Sequence, residues 1–149
     1  MSRFIADLRE LSHQFEHICE AIAKKYKIEH LAGPQGHVLI FLDRHLDKEI
    51  FVKDIENELQ ISKSVTSNLV KRMEKNGFIT IKHSLVDKRY KQVVMTKEGA
   101  EKIPLLQECR KDIENYFFKD ITKEELLTIK KVVNQLNYNM LHFKGDKDA

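Results

Sequence analysis

Apolar residues near both ends of the chain recur at intervals of three and four residues, the spacing of a helix with one apolar stripe. The first stripe consists of Phe4, Leu8, Leu11, Phe15, Ile18 and Ile22, and the second consists of Leu126, Ile129, Val133, Leu136, Met140 and Phe143. Thr122 and Glu125 precede the second stripe with the spacing of a capping box, a common helix start. An amphipathic helix is therefore predicted at each end of the chain.

A third helical pattern lies between Thr96 and Lys119. Its apolar side carries Ile103, Leu106, Cys109, Ile113 and Phe117, and Pro104 is a point at which the helix can bend.

The stripes at the two ends are narrow, as in two-stranded coiled coils, and a narrow stripe needs a partner helix to cover it. We therefore expect residues 1–33 and 96–149 to form a helical region in which the ends pair with each other and with a second copy. The expected dimer interface contains Phe4, Leu8, Leu11, Phe15, Leu126, Ile129, Val133, Leu136 and Met140. The alternative is that the stripes close an intramolecular core, which would predict a monomer.

The middle of the chain predicts two short helices joined by a tight turn. Val52, Ile55 and Leu59 share one face of the first, and Gln60-Ile61 turns the chain. Ser62 is placed to cap the second, whose inner face is assigned to Val65, Leu69 and Met73. The opposite face is assigned to Lys63, Ser64, Thr66, Ser67, Lys71, Arg72 and Lys75, and Asn76-Gly77 supplies the helix end.

Two β-branched segments, residues 78–81 and 92–95, follow and flank the polar stretch 84–91, which predicts a β-hairpin with a basic tip. In a helix-turn-helix the second helix enters the major groove of DNA. An arginine held out on a hairpin, such as Arg89, can enter the minor groove, and the adjacent Asp87 can pair with it and fix its direction.

The net charge of +3 becomes informative when it is divided along the chain. Residues 62–95 contain eight Lys/Arg and two Asp/Glu, whereas residues 34–61 contain three and six, and both flanks are neutral. The excess positive charge is thus concentrated in the second short helix and the hairpin, as nucleic-acid binding requires.

Other features exclude several classes of protein. The apolar runs are too short to cross a membrane, and the two cysteines, Cys19 and Cys109, lack the spacing of a metal knuckle or redox pair, so a cytoplasmic protein is expected. The five glycines are scattered, and neither a nucleophile with its base nor a set of metal ligands is evident. We therefore expect no catalytic residues, no bound metal and no cofactor.

The sequence resembles the MarR family of winged-helix regulators. The resemblance is carried by residues 61–79 (ISKSVTSNLVKRMEKNGFI), 87–91 (DKRYK) and 94–99 (VMTKEG). It implies a mainly α fold with a small β-hairpin wing, in which residues 34–95 form a winged helix-turn-helix lobe flanked by N- and C-terminal dimerisation helices. It also implies a homodimeric, ligand-responsive repressor that binds an inverted repeat in double-stranded DNA.

By this resemblance, Ser64, Thr66, Ser67 and Lys71 face the major groove, Arg89 enters the minor groove, and Asp87 orients Arg89. Lys63, Arg72, Lys88 and Lys91 are assigned to phosphates. Many members of the family bind small aromatic acids, so a small aromatic or other small-molecule effector is expected, although no residue identifies it.

Two other interpretations remain open. The first is a metal- or redox-sensing regulator of the same fold. His13 and His17 have the i, i+4 spacing of a metal-binding pair, although an exposed pair of histidines is favoured. Cys19 suggests the peroxide-sensing branch of the family, although a structural thiol is favoured. The second interpretation is a winged-helix adaptor that binds protein, which the concentrated positive charge argues against.

Overall fold

The computed structural model describes the backbone of residues 3–148 and the side chains of residues 3–143, so the extreme ends of the predicted dimerisation region lie outside the described residues. In chain order the elements are α1 (Phe4–Lys25), a 3₁₀ turn (Glu29–Leu31), α2 (Pro34–Arg44), α3 (Val52–Leu59), α4 (Lys63–Lys75), β1 (Ile79–His83), β2 (Lys91–Met95), α5 (Lys97–Phe117) and α6 (Lys123–Asp148). The predicted fold, mainly α with one β-hairpin, is confirmed.

Helix α2 was not among the predicted helices. It starts at Pro34, a residue suited to the first position of a helix, and it buries Val38, Leu39, Ile40 and Leu42. Because these apolar residues surround the helix axis, they form a continuous run in the sequence rather than a stripe with a helical period.

The chain divides into two compact units, residues 1–113 and 114–149. The core of the first unit joins the inner sides of α2, α3 and α4 to the hairpin, the end of α1 and the first half of α5. Its fully or nearly fully buried side chains include Ala23, Ile28, Leu31, Leu39, Ile55, Leu69, Met73, Ile79, Val93 and Leu106. Burial of each large apolar side chain is worth about 1.5–3 kcal/mol, so this core supplies the main stabilising term of the lobe.

Polar contacts connect the elements around this core. The Tyr26 hydroxyl donates a hydrogen bond to Asp112, linking the end of α1 to α5, and this bond raises the pKa of Tyr26 to about 12. The Gln35 side chain accepts from Asn76 at 3.2 Å, which connects α2 to the residue that ends α4.

The second unit contains α6, whose start has the predicted capping box. The Glu125 carboxylate accepts from the Thr122 backbone N–H at 3.0 Å, and the Glu125 N–H donates to the Thr122 hydroxyl at 3.1 Å. The backbone hydrogen bond from Thr122, followed by its side-chain bond, lowers the pKa of Glu125.

The apolar stripes of α1 and α6 are open to solvent in the single chain. Of the nine residues predicted for the dimer interface, Leu126 is half-buried and the other eight are between 36 and 58% exposed. What covers these stripes, a second copy or the rest of the same chain, stays a prediction.

Candidate nucleic-acid interface

Helices α3 and α4 form the predicted helix-turn-helix. The Phe51 N–H donates to the Asp54 carboxylate at 2.8 Å and so starts α3, whose Ile55 is fully buried. At the other end, Gln60 has a φ of 55°, in the left-handed region, and this reversal turns the chain toward α4.

Ser62 caps α4 as the sequence predicted. Its hydroxyl accepts from the Val65 N–H at 3.2 Å, which satisfies one of the backbone donors that a helix start leaves unpaired. A polar first turn is thereby presented to solvent, with Lys63 and Ser64 both exposed.

The predicted faces of α4 need one correction. Thr66 is fully buried, and its hydroxyl donates to the Ser62 carbonyl at 2.8 Å, so the assignment of Thr66 to the exposed face is wrong. Val65, assigned to the inner face, is 49% exposed. The buried set is Thr66, Leu69, Val70 and Met73, which follows the helical intervals three, four and seven more closely than positions 65, 69 and 73 do.

The exposed face of α4 consequently differs from the predicted one in three members, since Thr66 leaves it and Val65 and Asn68 join it. The residues exposed as predicted include Ser64, Lys71, Arg72 and Lys75. Ser67 is half-buried, whereas Val65 and Asn68 are exposed. Asn68 could have been found from its spacing, since it lies four residues after Ser64 and four before Arg72 on the same side of the helix.

The end of α4 is tied to the exit from the hairpin by Thr96. Gly77 has a φ of +86°, which favours glycine, and its carbonyl accepts from the Thr96 hydroxyl at 2.6 Å. The same hydroxyl accepts from the Gly99 N–H at the start of α5 at 3.0 Å. A Cβ at position 99 would lie 2.4 Å from the Phe78 carbonyl oxygen, so this close approach requires glycine.

The hairpin pairs β1 and β2 antiparallel, from Ile79 opposite Met95 to His83 opposite Lys91. The Val93 N–H donates to the Ile50 carbonyl at 2.8 Å, which attaches the hairpin to the segment before α3. The wing is therefore fixed to the body of the lobe on its β2 side.

Asp87 holds Arg89 at the tip of the wing, as predicted. The Arg89 guanidinium donates to the Asp87 carboxylate at 2.7 and 3.1 Å, and the Arg89 backbone N–H donates to the same group at 3.0 Å. Hydrogen bonds from the Arg89 side chain and backbone lower the pKa of Asp87, and the bond to Asp87 raises the pKa of Arg89.

The charges of this surface are unbalanced. All eight Lys and Arg residues between positions 62 and 95 are exposed: Lys63, Lys71, Arg72, Lys75, Lys82, Lys88, Arg89 and Lys91. The two acidic residues of the same segment are both engaged, Asp87 with Arg89 and Glu74 with the Ile81 N–H at 3.1 Å. We call the exposed residues of α4 and the wing the basic face.

The sequence offers two other candidate sites, the histidine pair on α1 and the cysteines. His13 and His17 stack along α1 with ring centroids 6.4 Å apart, and both are exposed. Among the described residues, no group of three or more His, Cys, Asp or Glu side chains is arranged to hold a metal ion. Cys109 is buried in line with Leu106, as predicted.

Both thiols lie in surroundings that disfavour the thiolate. Burial, followed by the charge of Glu16, raises the pKa of Cys19, which is half-buried. Burial is also the main cause that raises the pKa of Cys109.

A groove of about 860 Å³ lies within the first unit, between the second half of α1 and the segment that leads to α2. Phe15, His17 and Cys19 line it together with Glu16, Glu20, Ala21, Lys24, Glu29, Ala32 and Gly33. Three carboxylates against one lysine give it a negative charge.

No helix in the described part of the chain has the length and apolar character needed to cross a membrane.

A helix pair followed by a basic β-wing defines the winged helix-turn-helix class of DNA-binding proteins. A family model described as the MarR family matches residues 31–89. The chain is also 46% identical to the heme sensor protein PefR from Streptococcus agalactiae, whose structure in complex with heme it matches with a TM-score of 0.72 over 94% of this chain and 95% of that one. The chain belongs to the MarR family of transcriptional regulators.

Two further proteins are similar to this chain. The chain is 25% identical over 108 residues to the HTH-type transcriptional regulator YwhA of Bacillus subtilis (strain 168), covering 72% of this chain and 76% of that protein. The MepR–DNA complex of S. aureus shares the fold, with a TM-score of 0.79, 20% identity and coverage of 92% of this chain and 96% of that one. YwhA is a transcriptional regulator, a class distinct from enzymes, and the MepR–DNA complex shows the shared fold.

Proposed function

We propose that this protein is a ligand-responsive repressor that binds an inverted-repeat operator in double-stranded DNA as a homodimer. The observation that carries the proposal is the basic face, on which eight cations are exposed while both nearby carboxylates are engaged. A surface of this kind attracts the phosphate backbone of DNA and releases its counterions. A protein-binding adaptor would need no such concentration of charge.

The two parts of the basic face have different tasks. Ser64, Val65, Ser67, Asn68 and Lys71 on α4 contact base edges in the major groove, where amide, amine and apolar side chains distinguish the four base pairs. Lys63, Arg72, Lys88 and Lys91 contact phosphates, and Arg89 enters the minor groove with its direction set by Asp87. Val65 and Asn68 replace Thr66 among the predicted base-contacting residues because they are exposed and Thr66 is buried.

The exposed stripes of α1 and α6 form the dimer interface in this proposal, with residues 1–33 and 96–149 as the dimerisation region and 34–95 as the DNA-binding lobe. Each large apolar side chain that a second copy covers contributes about 1.5–3 kcal/mol if burial is complete. A two-fold dimer presents two α4 helices to half-sites about 34–36 Å apart, so the operator is an inverted repeat. Because its target is DNA, the protein acts in the cytoplasm.

The effector belongs to the groove beside α1. PefR is a heme sensor, so heme is the first compound to test, and His17 and Cys19 are the side chains of the groove whose types ligate heme iron. Its excess of carboxylates, however, disfavours the propionates of heme and also small aromatic acids, and favours neutral or cationic aromatic compounds. Titrations with heme and with a cationic aromatic dye, read by absorbance and by release of DNA, distinguish these classes.

A binding selection on random duplexes tests the central proposal. We expect an inverted repeat to be enriched, and the affinity for it to fall steeply as salt rises, with a log–log slope of about −0.9 for each phosphate neutralised. Failure to enrich any duplex, or a complex insensitive to salt, would refute DNA binding.

A further inference from the structure

The tip of the wing carries two apolar side chains that are almost fully open to solvent. Leu85 is 98% exposed and Val86 is 91% exposed, more than any other large apolar side chain in the described part of the chain. These two adjacent side chains form an apolar tip on a hairpin whose lysines and arginine are also exposed.

Hydrogen bonds close the loop that holds these residues. Ser84 is buried; its N–H donates to the Tyr90 carbonyl at 2.9 Å, and its hydroxyl accepts from the Val86 N–H at 3.2 Å. The Tyr90 N–H in turn donates to the Asp87 carbonyl at 3.0 Å. The loop is closed on itself, and it directs Leu85 and Val86 away from the protein.

The surroundings define the partner that these side chains fit. Lys82, Lys88, Arg89 and Lys91 are exposed on the same hairpin, and the carboxylate of Asp87 is held by Arg89. The partner must therefore carry dense negative charge and also offer apolar surface within reach of the charge. The minor groove of duplex DNA does both, since deoxyribose rings form its walls between the two rows of phosphates.

We propose that Leu85 and Val86 enter the minor groove beside Arg89 and pack against its deoxyribose walls. This inference rests on the proposed function and adds a part of the interface that is not electrostatic. It has two consequences: part of the affinity is independent of salt, and G·C pairs at this site are disfavoured, because the guanine N2 amino group occupies the floor of the groove.

The first test compares the double variant Leu85→Ser/Val86→Ser with the charge variant Lys88→Ala on the selected operator. The double variant is expected to bind about tenfold more weakly at every salt concentration, equivalent to about 1.4 kcal/mol, with an unchanged salt slope. Lys88→Ala is expected to reduce the slope by about 0.9. Because both mutated side chains lie in solvent, thermal unfolding of the double variant should match that of the wild type.

The second test changes the minor groove alone. Replacing adenine by 2,6-diaminopurine in the A·T pairs under the wing adds an amino group in the minor groove and leaves the major-groove pattern unchanged. Wild-type affinity should fall several-fold, and that of the double variant should fall less. Arg89 is present in both proteins, so the difference reports on Leu85 and Val86.

Several results would overturn the inference while leaving DNA binding intact: wild-type affinity of the double variant, an altered salt slope, or equal diaminopurine penalties in both proteins. Sedimentation of the wild type, but not the double variant, with phosphatidylglycerol vesicles, together with unchanged DNA affinity, would assign the tip to an anionic lipid surface instead. If the wild type binds no selected duplex, the proposed function itself fails, and this outcome is separate from the others.

Discussion

Replacing Thr66 by valine separates the stability of α4 from its reading of DNA. The Thr66 hydroxyl is fully buried and donates to the Ser62 carbonyl at 2.8 Å, and that carbonyl also accepts the Thr66 N–H at 2.9 Å. Valine has nearly the same shape but no donor. The carbonyl keeps its backbone hydrogen bond, so the loss is that of one ordinary hydrogen bond, about 0.5–1.5 kcal/mol.

The matched variant is Val65→Ala on the neighbouring exposed position. Val65 is not part of the core, so its truncation should change stability by about 0.5 kcal/mol or less. If Val65 contacts a thymine methyl group in the major groove, however, its loss should relax base preference at one position of each half-site. Thr66→Val should leave base preference as it is.

Urea unfolding at one fixed protein concentration measures the first quantity, since the stability of a dimer depends on concentration. A binding selection with each variant measures the second. If Thr66→Val has wild-type stability but altered base preference, the assignment of the two faces of α4 by burial is wrong.

Three other predictions concern the wing, the ends of the chain and the thiols. Hydrogen bonds from Arg89 lower the pKa of Asp87, so the stabilisation by this pair is complete above the ordinary aspartate pKa and is lost as pH falls through the lowered value. The pKa of Asp87, measured from its carboxyl ¹³C shift, should rise in Arg89→Ala. Identical titration midpoints in the wild type and the variant would count against the pair. Deleting the residues after Lys119 should give a monomer with weak, salt-dependent binding that no longer recognises the inverted repeat, and sedimentation with footprinting contradicts this if both half-sites stay protected. Mild peroxide should leave DNA binding intact, because the pKa of Cys19 and of Cys109 is raised and thiolate is the reactive form. Metal chelators should also leave DNA binding intact. Release of DNA by either treatment, abolished by Cys19→Ser or His13→Ala, would identify a sensor instead.

Local chemistry explains which parts of this fold could be predicted from the sequence. Ser62, the Thr122 and Glu125 pair, and Asn76-Gly77 were placed correctly because capping and helix-ending residues act within a few positions of the chain. The hairpin followed from its β-branched segments for the same reason.

The errors arose where hydrophobicity and packing disagree. Valine is more apolar than threonine, so Val65 was assigned to the core, but Thr66 satisfies its hydroxyl within its own helix and can therefore be buried. Helix α2 gives no periodic signal in the sequence because it is buried on several sides and lacks a stripe. The exposure of Leu85 and Val86 depends on how Ser84 closes the loop, which no periodicity reveals.

Thr96 has a consequence for how a signal can reach DNA. Its hydroxyl joins the residue that follows α4 to the first turn of α5, and its N–H donates to the Phe78 carbonyl at the entrance to the wing. Helix α4 and the wing thus share one attachment to α5, the helix that leads away from the lobe. In the proposed dimer we expect a displacement of α5 to carry α4 and the wing together, so that an effector changes the distance between the two DNA-binding lobes without distorting either one.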